Sequence, residues 1–287
     1  MPKQLPVYDI KAFHDHGNEE FYANALRPHV ATHTFTNLPH KHDFYLVMLV
    51  THGSGTHEID FVNYKVTPGS VFIMRPGQMH YWKLSKDIAG YVFFHSKIFF
   101  EETGMKLRDY PVFRSFQSVP YLKLSSNSLA EMNDLMRSIA EEHKHQRSFK
   151  KQRLQSLINL CYIHISRNYK QTESLNNQTY LVTATEFETL IDKHFRTLKS
   201  ARDYANQLNI TEKHLNRITK TCFNKTSTQL IAERIVLEAK RLLIHTGMQS
   251  TQVAYALGYN DKSYFVRFFK KNTGETPMAF LNRYRKG

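Results

Sequence analysis

Cysteine is scarce in this 287-residue chain: Cys161 and Cys222 are the only two, far apart and in no paired spacing. A disulfide framework and a cysteine zinc site are both unsupported. Long apolar runs are missing too. The longest, Phe44 to Val50, is seven residues, well short of the ~20 that a membrane helix requires. The amino-terminal stretch carries Lys3 and Asp9 with no apolar signal core, so the expectation is an unexported protein in a reducing cytoplasm. Acid is what the carboxyl end lacks. Residues 193–287 hold 18 Lys and Arg against six Asp and Glu, a net charge of +12 within a chain total of +14. That density suits a polyanion such as double-stranded DNA, whose condensed counterions are released when Lys and Arg replace them. A merely solvated basic surface is the other reading of charge alone.

With 41% hydrophobic residues the chain has enough apolar material for two ordinary domains. In the first hundred residues, short β-branched and aromatic segments such as Phe44–Leu49 and Ser70–Met74 alternate with turn clusters at His52–Gly55, Pro68–Gly69 and Pro76–Gly77. Many short strands between regular turns predict a sandwich or small barrel. From Ser128 the period changes: Leu129, Met132, Met136, Ile139 and Ala140 share one helical face, and Leu154, Leu157, Ile158, Cys161 and Ile165 another. The polar, aperiodic stretch between Tyr169 and Tyr180 reads as a linker. Beyond Thr183 the pattern is helical again, beginning with a stripe of Phe187, Leu190, Ile191 and Phe195.

This tail repeats itself at a spacing of 49 to 50 residues. Ala205, Leu208 and Asn209 answer Ala254, Leu257 and Gly258; after one extra residue, Leu215, Arg217, Lys220 and Asn224 answer Phe265, Arg267, Lys270 and Gly274. Small Ala205 and Ala254 allow close helix approach, while Asn209 and Gly258 tolerate the left-handed backbone of a tight interhelical turn. Thr211 and Asn260 are the expected caps of the second helices, and Asn224 and Gly274 their stops. The pattern is a helix-turn-helix, twice.

The stretch from Val253 through Tyr259, Ser263 to Lys271 and Thr273 to Pro277 resembles the signature of the AraC/XylS family of transcription regulators. The resemblance is strong over about the last hundred residues and weaker over the head. It implies two helix-turn-helix units joined by a long helix, here Glu233 to His245, with their second helices in adjacent segments of the major groove. Those recognition helices are expected at Glu212–Cys222 and Asp261–Asn272. With Leu215 and Ile218 buried, Lys213, Asn216, Arg217 and Lys220 turn outward; with Phe265 and Phe268 or Phe269 buried, Lys262, Ser263, Val266, Arg267 and Lys270 do. Arg forks onto guanine and Asn onto adenine, which makes Asn216 and Arg217 the best direct readers. Lys220, Lys270 and Lys271 fit phosphate better. Val266 stands where the family more often has a polar residue. Arg267 has a bland alternative, a salt bridge that only holds the domain together.

In the head, His40-Lys41-His42, Gly53 to His57, Pro68 to Ser70 and Pro76 to His80 resemble the sensor domain of the same family, a cupin-like β-barrel. Metal-binding cupins place a Glu four or five residues after the second His. Leu46 and Val47 stand there instead, leaving His40, His42 and His80 as the remaining three-imidazole possibility, and neither a metal nor another cofactor is expected. A small barrel suits a small-molecule effector, with His42, Tyr45, His80 and Trp82 as the expected binding residues and His57 and Tyr91 as further candidates.

The sequence therefore predicts a multidomain α and β chain. An N-terminal cupin-like β-barrel with flanking helices occupies 1–168, a linker 169–182, and an all-α domain with two helix-turn-helix motifs 183–287. The resemblance implies a DNA-binding, ligand-responsive activator, not an enzyme, acting as a homodimer with RNA polymerase as a further partner; the helices after Ser128 either dimerise the sensor or merely cover the barrel. The competing hypotheses are a metal-dependent cupin enzyme with an accessory DNA-binding module and a nonspecific architectural binder.

Overall fold

A computed structural model of the chain describes residues 6–13, 20–115, 118–169 and 178–286. The chain divides into two compact units, one spanning Pro6–Gln171 and the other containing Thr172–Gly287.

The first unit runs β1 (Val7–Tyr8), β2 (Phe21–Ala25), α1 (Leu26–Thr32), β3 (His40–His42), β4 (Tyr45–His52), β5 (Gly55–Ile59), β6 (Val62–Val66), β7 (Ser70–Met74), β8 (Met79–Leu84), β9 (Ala89–His95), α2 (Lys97–Glu101), α3 (Pro111–Arg114), β10 (Tyr121–Lys123), α4 (Ser126–Lys144) and α5 (Lys150–Asn168). The strands form two five-stranded sheets, ordered β1-β3-β8-β5-β6 and β10-β7-β4-β9-β2. Together they make a cupin-like barrel.

Strand β4, paired on both sides by β7 and β9, explains the longest apolar run of the sequence. Leu46, Met48 and Val50 face the barrel interior with Phe72, Met74, Val92 and Phe94. Val47 and Leu49 face the other way, packing with Val71, Ile73 and Phe93 into a core shared with Met132, Met136, Ile139, Leu154 and Ile158 of α4 and α5. Residues in a strand alternate sides, so a sheet buried on both faces needs apolar residues at every position. Each such aliphatic side chain contributes about 1.5 to 3 kcal/mol of burial.

Alternation also corrects an expectation. Tyr45 neighbours Leu46 and points away from the barrel interior, stacking on His95 at 5.6 Å and meeting Phe113 edge-on at 5.4 Å. Tyr91, paired with Leu49 across β9, packs on the same helix-facing side. Neither tyrosine lines the inner face with His42, His80 and Trp82.

The second unit is helical: α6 (Gln178–His194), α7 (Ala201–Gln207), α8 (Glu212–Phe223), α9 (Ser227–His245), α10 (Ser250–Ala256), α11 (Lys262–Thr273) and α12 (Pro277–Lys286). The expected linker falls largely on 170–177, which lie outside the described residues; its last five positions are already helical in α6. The repeat becomes two helix pairs, α7 with α8 and α10 with α11. Their turns pass through Asn209 at φ 54° and Gly258 at φ 77°, and their second helices stop at Asn224 at φ 54° and Gly274 at φ 82°.

Two boundaries differ from expectation. Helix α9 starts six residues before Glu233, because Thr226 and Gln229 form a reciprocal capping box that satisfies backbone donors at its start. The cap of α11 is Asp261, whose carboxylate accepts from Ser263 N at 2.6 Å, rather than Asn260. The extra residue in the second turn moves the cap one position on. Among the described residues, no helix is long and apolar enough to cross a membrane.

Candidate nucleic-acid interface and sensor core

The helical unit sorts its cations into two populations. On α9 and its surroundings they are paired: Arg234 and Arg241 reach Glu238 at 3.3 and 3.4 Å, Arg196 reaches it at 3.4 Å, Arg234 also holds Asp192 at 2.6 Å, and Lys225 holds Glu233 at 2.8 Å. Arg283 is taken by Glu275 at 2.6 Å. Lys199 is engaged differently. Half-buried, with burial lowering its pKa to about 8, its ammonium donates to the carbonyls of Phe195, Arg196 and Leu257 and clamps the turn before α7 to the end of α10.

The second population is on α8 and α11. Lys213, Arg217 and Lys220, and Lys262, Ser263, Arg267 and Lys270, are all exposed, on faces opposite buried Leu215 and Ile218 or Phe265 and Phe269. Among the described residues none of these cations makes an ion pair, so the salt-bridge alternative for Arg267 is not what the structure shows. Arg267 and Lys271 instead rim a groove of about 620 Å³ floored by Ile231, Ile235, Tyr259 and Phe268.

Asn216 behaves unlike its neighbours. It is half-buried, and its Oδ1 accepts from the backbone N of Ser227 at 3.0 Å and from Ser227 Oγ at 2.9 Å, fastening the start of α9 to α8. An adenine contact through both amide atoms would have to break that fastening. Asn216 is therefore withdrawn as a free base reader, because its acceptor is spent inside the fold.

Inside the barrel, imidazoles gather. His40 pairs across strands with His80, and His57 with Trp82; His57 Nε2 and His80 Nδ1 share a hydrogen bond of 2.9 Å. The Nδ1 atoms of His40 and His42 are held by the carbonyls of Leu38 and Phe44, each at 2.8 Å. Burial, reinforced by neighbouring imidazoles, lowers the pKa of His29, His42 and His57 to about 3 and that of His80 well below its ordinary value; burial alone lowers His40. All five are neutral near pH 7. His29 Nε2, His42 Nε2, His57 Nδ1, His80 Nε2 and the indole Trp82 Nε1 are buried without a hydrogen-bond partner. Such atoms are costly to leave unmet and mark where a polar molecule would be welcomed. Among the described residues, no three His, Cys, Asp or Glu side chains are grouped so as to hold a metal ion.

Comparison with known proteins fits both halves. The AraC-like ligand binding domain profile matches residues 24–158, and a helix-turn-helix domain profile matches residues 204–283. The chain belongs to the AraC family of transcription regulators. Among curated AraC-family relatives, the HTH-type transcriptional activator RhaR of Enterobacter sp. (strain 638) is 23% identical over 283 residues, covering 93% of this chain and 96% of its own. RhaR of Escherichia coli O139:H28 is 22% identical over 253 residues, covering 84% and 86%. Among solved structures, ToxT from Vibrio cholerae O395 aligns over 92% of this chain and 98% of its own with a TM-score of 0.44 and 13% identity.

This AraC-family regulator also holds candidate site residues that no sequence motif marks. His29 sits in the short helix α1, where no motif marks it, and meets the barrel core through Tyr22 at 3.0 Å. His214 lies three residues before Arg217 on the same helical face, with its Nδ1 2.8 Å from the Arg217 guanidinium; being neither a Lys or Arg nor apolar, it stands out in neither the charge nor the hydrophobic pattern.

Proposed function

We propose that this AraC-family chain is a cytoplasmic, ligand-responsive transcriptional activator without catalytic activity of its own, working as a homodimer that recruits RNA polymerase. Helices α8 and α11 enter successive major-groove segments of one duplex. Arg217 and Arg267 read base edges, with Ser263 and Lys262 beside them, while Lys213, Lys220 and Lys270 neutralise phosphates. One observation carries this reading: the ion pairs of the helical unit gather on α9, α12 and their surroundings, and among the described residues the cations of the two duplicated outward faces make none.

For the effector, the orphaned atoms of His42, His80 and Trp82, with His57 and His29, support a binding site on the inner face of the barrel. Occupancy would change which operator spacing a dimer spans. The names of the RhaR relatives support activation over repression.

The test is selection of bound sequences from a random duplex pool by the full chain, followed by footprinting and salt titration. A recurring motif protected in two neighbouring major-groove segments, with affinity falling steeply in salt, is expected. Uniform binding across the pool would refute sequence-specific regulation and leave an architectural binder.

A further inference from the structure

At the start of α8 the reader Arg217 is joined by two side chains, His214 and Tyr180 of α6, that the assignments above do not use. Tyr180, the third residue of α6, meets the His214 ring edge-on, with centroids 5.7 Å apart at 85°. The Arg217 guanidinium lies 5.8 Å over the centroid of the same tyrosine ring. Arg217 Nη2 and His214 Nδ1 are 2.8 Å apart. A guanidinium only donates, so Nδ1 accepts, and the imidazole proton resides on Nε2. In this arrangement one ring N–H donor of His214, at Nε2, is left unspent. Its own backbone N–H is held by Thr211 Oγ1 at 3.1 Å, which anchors it in the first turn of the helix. Ile210, Thr211, Lys213, His214 and Arg217 line a concavity of about 480 Å³ at this end of α8.

We propose that His214 is a specificity-determining residue of the first helix-turn-helix unit and that Tyr180 is its positioning residue. The proposal rests on α8 being a recognition helix, whose N-terminal residues are the ones that meet base edges. Arg217 spends one of its five N–H groups on His214 and keeps enough for a fork onto guanine O6 and N7. His214 adds a donor at the neighbouring position. The pair offers donors only. The Arg217 fork selects guanine, and the single His214 donor accepts a neighbouring acceptor edge, guanine N7 or O6, thymine O4 or adenine N7, while rejecting cytosine, which presents only an amine there. Tyr180 supplies an aromatic wall against which both groups rest, through a cation–π contact and an edge contact. Less side-chain freedom then remains to be lost when the duplex arrives.

The experiment uses the full chain and two duplex probes, the motif selected by the unaltered protein and a scrambled duplex of equal length. Tyr180→Leu is expected to weaken the selected duplex by roughly fivefold to tenfold while leaving the scrambled duplex and the salt slope unchanged. Tyr180→Phe, which keeps the ring, should retain full affinity. His214→Ala should relax base preference at the position beside the guanine when selection is repeated. In an Arg217→Ala background the Tyr180→Leu loss should shrink, because the wall would have less left to hold. Thermal unfolding of each variant verifies folding, and Tyr180→Phe supplies the folded control. Equal weakening of both duplexes by Tyr180→Leu, an undiminished loss in the Arg217→Ala background, or unchanged base preference for His214→Ala would overturn the proposal while leaving sequence-specific binding intact. If the unaltered protein prefers no sequence, the recognition-helix reading falls and this proposal with it.

Discussion

Among the described residues the sensor barrel holds buried nitrogens without hydrogen-bond partners and the helical tail holds exposed cations without ion pairs, two opposite physical settings. In the barrel they are imidazole and indole nitrogens sealed from water and kept neutral by burial. In the tail they are ammonium and guanidinium groups in open solvent. An exposed cation loses nothing by waiting, since water solvates it until a polyanion displaces its counterions. A buried unpaired nitrogen raises the free energy of the fold until something hydrogen-bonds to it. The tail is therefore built to be stable without its partner, and the barrel to gain stability from its own.

The sharpest way to separate the two regions is acid. In the folded barrel the pKa values of His29, His42 and His57 lie near 3, against an ordinary value of 6.5. Above pH 6.5 these rings are neutral in the folded and unfolded chain alike and their contribution is intact. As pH falls from 6.5 toward 3 the unfolded chain takes up protons that the folded barrel refuses. Each such ring then costs roughly 1.4 kcal/mol per pH unit, so three rings together remove on the order of 10 kcal/mol by about pH 4, comparable to an ordinary domain stability of ~5 to 15 kcal/mol. Trp82, the single tryptophan and fully buried, reports this unit alone. Its urea midpoint should fall steeply below pH 6.5. A midpoint that stays flat from pH 6.5 to 4.5 would mean that these rings are not buried neutral.

Within the tail, the two helix-turn-helix copies differ next most strongly at the turn. Asn209 and Gly258 share a left-handed backbone, but a Cβ on Gly258 would lie 1.9 Å from the carbonyl oxygen of Arg196. The second turn is crowded as well as left-handed, and only glycine meets both demands. Gly258→Ala should cost about 3 kcal/mol or more of tail stability, because the backbone must move and would pull on the Lys199 clamp. Asn209→Gly should change it by less than about 1 kcal/mol. Denaturant unfolding followed by helical circular dichroism measures both, and similar losses would show that the copies are equivalent.

On DNA the expected differences are smaller. Arg217→Ala and Arg267→Ala should each weaken a selected site by ~1 to 3 kcal/mol with little effect on scrambled DNA, whereas Lys270→Ala should weaken all sequences alike and lower the salt slope by about one. Anisotropy titrations at several salt concentrations distinguish these outcomes. Equal losses on both duplexes for all three variants would contradict the division into readers and phosphate contacts.

Much of this architecture was legible because its signals are local. Left-handed stops at Asn209, Asn224, Gly258 and Gly274 punctuate the tail, and the heptad-like faces of α4 and α5 are strictly periodic. The misreadings occur where a local signal goes silent or a distant residue intervenes. Strand β4 is apolar on both faces, so alternation gives no clue that Tyr45 faces the helices. Asn216 has the spacing of a reader, and only the approach of Ser227, eleven residues on, reveals that its carbonyl oxygen is occupied. The buried imidazoles were visible as residues, but their neutrality follows from a barrel that closes around them.

The smallest effect tests the most local difference between the copies. Thr211 caps α8 by accepting from His214 N, and Asp261 caps α11 by accepting from Ser263 N. Asp261→Ala should cost about 1 kcal/mol of tail stability, and Asn260→Ala only a few tenths, if the cap belongs to the later residue. The charge adds a second consequence. Asp261 places a carboxylate at the start of α11, where it favours the helix; in the proposed complex it would also repel nearby phosphates. Asp261→Ala should therefore lower stability and raise nonspecific affinity together. Asp261→Asn keeps an acceptor while removing the charge, so it should preserve most of the stability and still tighten nonspecific binding. If Asp261→Asn loses as much stability as Asp261→Ala, the carboxylate acts through the helix dipole rather than through the hydrogen bond to Ser263.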